Sequence, residues 1–450
     1  MLKLFLLAIS ALFLGYTLMG KGFAYIGVSP LYVAEGALLL GLILATLNPS
    51  ILQRALTWPM VLIVPFFTWS LLQTLPYLSN YGLNALRDAA IWGYALFAIL
   101  IYGVILKNHS SFFILIRYYR YYALFFPLMI LPLIATDPLN ITLPSLPGTQ
   151  IPLVVVKFGD IGVHLAGAAI FVLLGLGGNL RWSLLHTPIW VLGATVVFGL
   201  TAAANRGGAV SFVMAVLPAL ASLFPRINAR LVGYAVGFLL SFALFGLASM
   251  VFLSSVQVVG SRSVSIEQIT TNFISIVLPG VSDAGNVEAN RRWRLKWWEK
   301  IVGYTFFGSY FWTGKGYGIN LATSDGFQVD KQESLRSPHN GHLNILARSG
   351  VPGLALWLTL LIGWAWAVLR ARRLAARNGD HLWAGLFLWL FCYWLAFVVN
   401  ASFDVFLEGP MGGVPFWLLT GLGFAATVVY ANPASRPRLG QALGLESRVA

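Results

Sequence analysis

The feature that most limits what this chain can become is a succession of apolar runs, each long enough to cross a bilayer. They fall near residues 4–19, 31–47, 56–75, 88–106, 113–134, 161–178, 187–204, 209–224, 231–253, 351–369, 382–400 and 413–430. A spanning helix needs about 17–25 such residues. Charged residues make up 10% of the chain and hydrophobic ones 58%, whereas a soluble domain carries about 25% charged residues. The expected fold is therefore an all-α polytopic membrane protein of about twelve helices. The first run, after Lys3, has the look of a signal peptide. It lacks a small-x-small cleavage site and further spans follow at once, so it reads as the first helix.

Basic residues set the orientation. With the N-terminus inside, the inner side receives Lys3, Arg54, Lys107, Arg117, Arg120, Arg181, Arg226, Arg230, Arg370, Arg372, Arg373, Arg377, Arg436, Arg438 and Arg448. The short outer connections receive Lys21, Arg87, Lys157 and Arg206. That is the positive-inside asymmetry, with both termini cytoplasmic. The acids gather at the opposite ends of the spans, among them Glu35, Asp88, Asp160, Asp404 and Glu408. The expected layout is residues 1–253 as transmembrane helices 1–9, 254–350 as a partly helical periplasmic loop, 351–430 as helices 10–12, and 431–450 as a cytoplasmic tail.

The net charge of +14 would suggest nucleic acid in a soluble protein. Here most of it is topological, and no nucleic-acid partner is expected. The exception is the long loop, whose length frees it from the charge rule and which still holds ten basic residues from Arg262 to Arg348. The single cysteine, Cys392, sits in an apolar run and reads as a packing residue with no disulfide partner. No fixed-period repeat is visible. A transporter would place ionisable groups at mid-span and break helices in pairs; the acids here lie at the outer ends instead.

Three segments of the loop carry chemistry. Asn290-Arg-Arg-Trp-Arg-Leu-Lys-Trp-Trp-Glu-Lys300 interleaves cations with indoles. On a helix it fits lipid anchoring, with tryptophans at headgroup depth. It equally fits a grip by Arg291, Arg292 or Arg294 on a lipid-linked diphosphate, since guanidinium forks match phosphate oxygens. Gly314-Lys-Gly-Tyr-Gly318 reads as a tight turn rather than a phosphate site, because no Walker pattern surrounds it. In Ser337-Pro-His-Asn-Gly-His, Ser337 fits a helix N-cap and Pro338 the first helical position, with Gly350 as the stop. His339 would then share a helix face with His342, beside Asn340. Two histidines without a third ligand make a poor zinc site, and no metal or other cofactor is expected.

Further candidates lie at the outer ends of spans. They are Arg206 in a tight turn, Arg87 beside Asp88, and Asp160 with His164 at the start of the sixth span. An arginine in such a turn also has the option of snorkelling to the interface.

His339-Asn340, nine residues, then Gly350-Val-Pro-Gly353 resembles the signature of the O-antigen ligase and polymerase superfamily. Arg292 and Trp297 on an outer helix, the Gly-x-Gly-x-Gly turn at 314–318, and an Arg-Gly pair after the seventh span resemble it too. The likeness is strongest over about 290–355. The resemblance implies an inverting, metal-independent membrane glycosyltransferase of the GT-C kind, located in the bacterial inner membrane with its active site on the periplasmic face. It would take a glycan from undecaprenyl diphosphate, among membrane lipids, and hand it to lipid A-core or to another glycan. His339 matches the signature histidine, Arg206 an outer-face arginine, and Arg292, with Arg291 and Arg294 as neighbours, the loop arginine.

That chemistry suits the residues. Displacing a diphosphate needs charge stabilisation, and with no clustered carboxylate pair visible to hold Mg²⁺, arginines must supply it. The acceptor hydroxyl needs a base, and His339 is the best-placed titratable group. The expected activity is ligase-type transfer to lipid A-core, with a polymerase or protein O-oligosaccharyltransferase as the alternatives within the family and a transporter as the alternative outside it.

Overall fold

The computed structural model describes residues 1–136, 143–147, 149–178, 183–224, 229–249, 257–259, 262–263, 266–277 and 285–445. Its main helices are α1 (Leu2–Met19), α2 (Val33–Thr46), α3 (Ile63–Tyr81), α4 (Leu83–Gly93), α5 (Ala95–Lys107), α6 (Ser110–Ile134), α7 (Phe158–Leu173), α8 (Ser183–Ala204), α9 (Arg206–Leu223), α10 (Ala229–Ala248), α11 (Ile266–Val277), α12 (Gly285–Phe306), α13 (Gly341–Arg377), α14 (His381–Ala401) and α15 (Pro410–Ala431). The protein is an all-α polytopic membrane protein, and within the described residues the expected apolar runs lie largely on helices, the fourth divided between α4 and α5. Among the described residues, eight helices are long and apolar enough to cross a membrane. The pair α4–α5, bent by 42°, makes a ninth if it counts as one span; α2, α7 and Val232–Ala248 within α10 are shorter apolar helices. The expected tail beyond residue 445 lies outside the described residues.

Helices in lipid gain little from apolar burial, so close packing and interhelical hydrogen bonds must hold them together. Both are visible. Gly162 of α7 faces Gly208 of α9 so closely that a Cβ would sit 2.6 Å from the Gly208 carbonyl oxygen. Buried indoles act as cross-ties between helices: Trp389 donates to Gly167 O (3.0 Å), Trp364 to Thr420 O (2.8 Å), and Trp417 to Ile91 O (3.0 Å) just before the α4–α5 bend. Cys392 is buried among them, as expected of a packing residue.

The start of α13 corrects the sequence expectation. The helix begins three residues later than a Ser337 cap would have it. Asn340 is the N-cap, its side chain accepting from His342 N and Leu343 N at 3.0 Å each. An Asx side chain reaching two or three residues ahead outcompetes serine there, and His339 is left outside the helix with φ 52°.

Gly350 does break the helix, with φ 69°. The amide of Val351 bonds Phe311 O instead of its own helix (2.8 Å), and Pro352 has no amide to give. The carbonyls of Ala347 and Arg348 are thereby freed. Lys315 N (2.7 Å) and Gly316 N (3.0 Å) take them. The glycine-rich turn is thus a plug for a kinked membrane helix, its amides engaged by protein and not by an anion. Glycine is needed at 316: φ is 81°, and a Cβ would lie 2.1 Å from the Tyr77 ring.

The aromatic–basic helix α12 also differs from a lipid anchor. Trp297 is fully buried, stacked on Phe327 at 5.3 Å and bonded to Asp325 Oδ2 at 2.7 Å. Trp298 donates to Pro338 O at 2.8 Å. Lys315, whose ammonium meets the Asp325 carboxylate, completes this small core. A second tie reaches the bundle: Asp88 of α4 accepts from Arg336 (2.9 Å), from Arg348 (2.9 Å) and from Gly318 N (3.0 Å). Residues 285–340 therefore fold as a body docked on one end of the bundle, called the loop end below.

Candidate active site

Four chain segments meet at the loop end. Helix α7 brings Lys157 at its N-cap and Asp160 in its first turn; α9 brings Asn205 as its cap and Arg206 as its first residue. The segment before α13 brings His339, and the turn after α14 brings Asp404. The glycine contact between α7 and α9 sets their N-termini side by side, so two positive helix ends share one region. Phe403 lies over the start of α9, 2.9 Å from where a Cβ of Gly207 would stand. Arg294 of α12 donates to the carbonyl oxygen of that same Phe403 at 2.9 Å.

Asp404 is the hub. Its Oδ1 lies 3.6 Å from His339 Nδ1 and its Oδ2 3.6 Å from Lys157 Nζ. Both separations are too long for hydrogen bonds and within ion-pair range. Burial alone would raise its pKa, but His339, Lys157 and the Val405 amide outweigh it and hold the carboxyl at about 2. Burial works against the Lys157 ammonium too, and Asp404 and Asp160 more than offset it, raising its pKa. Around neutrality the pair is ionised. Glu408, four residues on, behaves oppositely: burial pushes it up to about 7, although Arg348 and Ser337 pull it down.

His339 sits in the left-handed region, which costs a non-glycine residue on the order of 1 kcal/mol or more. The capped start of α13 on one side and the Trp298–Pro338 bond on the other hold it there. Its side chain keeps 29% exposure while Nδ1 is buried against Asp404. The other ring nitrogen, Nε2, is left for the open side.

Of the residues singled out from sequence, His339, Arg206, Asp160 and Arg294 come together, and Asn340 positions the first of them. Others do not. His342 is committed to structure, accepting from Trp357 Nε1 (3.0 Å) through Nδ1 and donating from Nε2 to Val398 O (3.1 Å). His164 is buried inside the bundle, bonded to the Tyr393 hydroxyl at 2.6 Å. Arg87 and Arg292 have exposed side chains, and Arg291 is half-buried. Sequence reasoning placed Lys157, Asp404 and Glu408 only in the charge tally and passed over Asn205 and Asn400. The available signal was two acids within five residues at the end of a span. Among the described residues no group of three or more His, Cys, Asp or Glu stands ready for a metal ion.

The fold and this cluster define a polytopic membrane protein with a charged, histidine-bearing site where helix ends meet a docked loop. The family model for O-antigen ligase matches residues 189–358, from α8 through the kink of α13, so this part of the chain is similar to the O-antigen ligase superfamily. That likeness supports a membrane glycosyltransferase-type activity, of ligase or polymerase type, on lipid-linked glycans. No curated protein matches the chain.

Proposed function

We propose that the protein is an inverting, metal-independent O-antigen ligase that moves a glycan from undecaprenyl diphosphate to lipid A-core on the periplasmic face of the bacterial inner membrane. The observation that carries this reading is the His339–Asp404 pair, set at the paired N-termini of α7 and α9 beside Arg206 and Arg294. In this reading 254–350 is the periplasmic segment, and its docked part holds His339 in place.

The chemistry is a single displacement. An acceptor hydroxyl attacks the anomeric carbon, its proton passes to Nε2 of His339, and the bond to the diphosphate breaks with its electron pair on the leaving oxygen. A neutral imidazole with its proton on Nδ1 suits this role. Asp404, at ion-pair distance from Nδ1, stabilises the imidazolium as it forms. Arg206, at a helix N-terminus, and Arg294 face the charge that develops on the diphosphate, where fixed guanidinium groups act without reorganisation. Arg291 and Arg292 would supply a peripheral positive field. One displacement inverts the anomeric configuration.

The test is transfer of lipid-linked glycan in membranes by His339→Ala and His339→Gln variants expressed at wild-type level. Loss of transfer is expected; undiminished transfer overturns the assignment of His339. Ligase and polymerase separate by product. Loss of all capped lipid A-core in a deletion strain supports the ligase, and retained single-unit capping makes the protein a polymerase.

A further inference from the structure

One group of side chains at the site lacks partners of its own. Asp160 is 8% exposed and Asn400 1%, yet Asp160 Oδ1 and Asn400 Nδ2 are both buried without a hydrogen bond. Asn400 and Asn205 meet at Gly159, the residue before Asp160: a Cβ there would lie 3.4 Å from Asn400 Oδ1 and 3.5 Å from Asn205 Nδ2. The Oδ1 of Asn205 is engaged by Gly208 N at 2.8 Å, which turns its Nδ2 toward Gly159. Each buried polar atom left unpaired costs about 1–3 kcal/mol, and folded proteins keep few of them.

The set mixes an acceptor with donors. An ion of one sign does not satisfy it; neighbouring hydroxyl or acylamino groups on a sugar ring do, since each both donates and accepts. We propose that Asp160, Asn400 and Asn205 form the subsite for the donor's first sugar, the ring joined directly to the diphosphate. This rests on the glycosyl transfer proposed above. Asn205 and Arg206 are consecutive, as sugar and diphosphate are consecutive in the donor. Asn400 O accepts from Asp404 N at 3.2 Å, so the turn that carries the sugar contact also carries the partner of His339.

The test uses full-length protein in nanodiscs and two probes, undecaprenyl diphosphate alone and undecaprenyl diphosphate bearing one N-acetylhexosamine. Binding is measured without turnover. Asp160→Asn and Asn400→Leu should weaken binding of the sugar-bearing probe about tenfold and leave that of the bare lipid diphosphate unchanged. With its orphan amide removed, Asn400→Leu should melt no lower than wild type in the absence of ligand, while Asp160→Asn serves if Asn400→Leu does not fold. Parallel weakening of both probes overturns the subsite, because the groups then act through the diphosphate. Unchanged binding of both also overturns it, assigning the orphans to a buried water. A shift confined to the acceptor's KM assigns the ring to the acceptor and overturns it too. Absence of any transfer by the wild-type protein would sink the glycosyltransferase reading, while the two binding constants still judge the subsite.

Discussion

His339 Nδ1 and Asp404 Oδ1 stand 3.6 Å apart, brought together from the residue before one helix and the turn after another. Asp404 is a positioning residue in this arrangement, acting on substrate through the imidazole. Asp404→Asn should lower kcat by about 10²-fold with a smaller change in KM for the lipid-linked donor. Steady-state kinetics on purified protein decide it; a variant with normal kcat removes Asp404 from the mechanism.

The two acids of this turn should leave opposite marks on stability. The folded-state pKa of Asp404, about 2, lies below its ordinary 3.8. Its contribution is present above pH 4 and is lost as pH falls toward 2. Glu408 is raised from 4.5 to about 7, so the unfolded chain releases this proton first and the group's contribution falls as pH rises from 4.5 to 7. Glu408→Gln should therefore raise the melting temperature at pH 8 and leave it nearly unchanged at pH 4. Equal shifts at both values would show that the Glu408 carboxyl titrates alike in the folded and unfolded chain.

The arginines should divide by place. Arg294 reaches Phe403 over the site, whereas Arg292 is exposed. Arg294→Ala and Arg206→Lys should each cut donor use about 10- to 10²-fold, the second because an ammonium lacks the fork that matches phosphate. Arg292→Ala should stay within about twofold of wild type. Donor KM and kcat measured side by side check the order, and a larger loss at Arg292 would move the diphosphate away from Phe403.

Glycines of similar φ should respond differently. Gly316 and Gly326 have φ of 81° and 79°, but a Cβ meets the Tyr77 ring at 2.1 Å at the first and nothing within 4 Å at the second. Gly326→Ala should cost about 1 kcal/mol from backbone strain, and Gly316→Ala about 2–4 kcal/mol because the clash is added. Thermal melts in detergent give the comparison.

Asn340→Ala removes both cap bonds at the start of α13 and should cost about 1–2 kcal/mol. It should also depress transfer, since His339 takes its left-handed conformation from that cap. Asn340→Asp, which still caps, should recover most of both, and failure to do so would point to a role for the amide nitrogen.

Much of the fold was legible because hydropathy is a local property: within the described residues the apolar runs lie largely on helices, although the run at 88–106 divides between α4 and α5. The docked loop was legible in content and not in use. Trp297 and the glycines of 314–318 stand out in sequence, but that indole packs against Phe327 rather than lipid, and the glycine-turn amides bond the helix backbone. Those choices depend on partners far along the chain. His339 was visible through its motif. Asp404, Lys157 and Asn400 were not, because what unites them is the crossing of α7, α9 and α14, which no spacing along the chain encodes.

The bonds from Lys315 and Gly316 to the Ala347 and Arg348 carbonyls also bear on how such proteins can be rebuilt. A chimaera that swapped residues 285–340 for a relative's loop while keeping its own α13 would strand two carbonyls in apolar surroundings. A relative lacking the break at Gly350 would conversely offer no acceptors to the turn. The exchangeable unit in this architecture is the loop together with the first turns of the helix it leads into, and diversification of one has to carry the other with it.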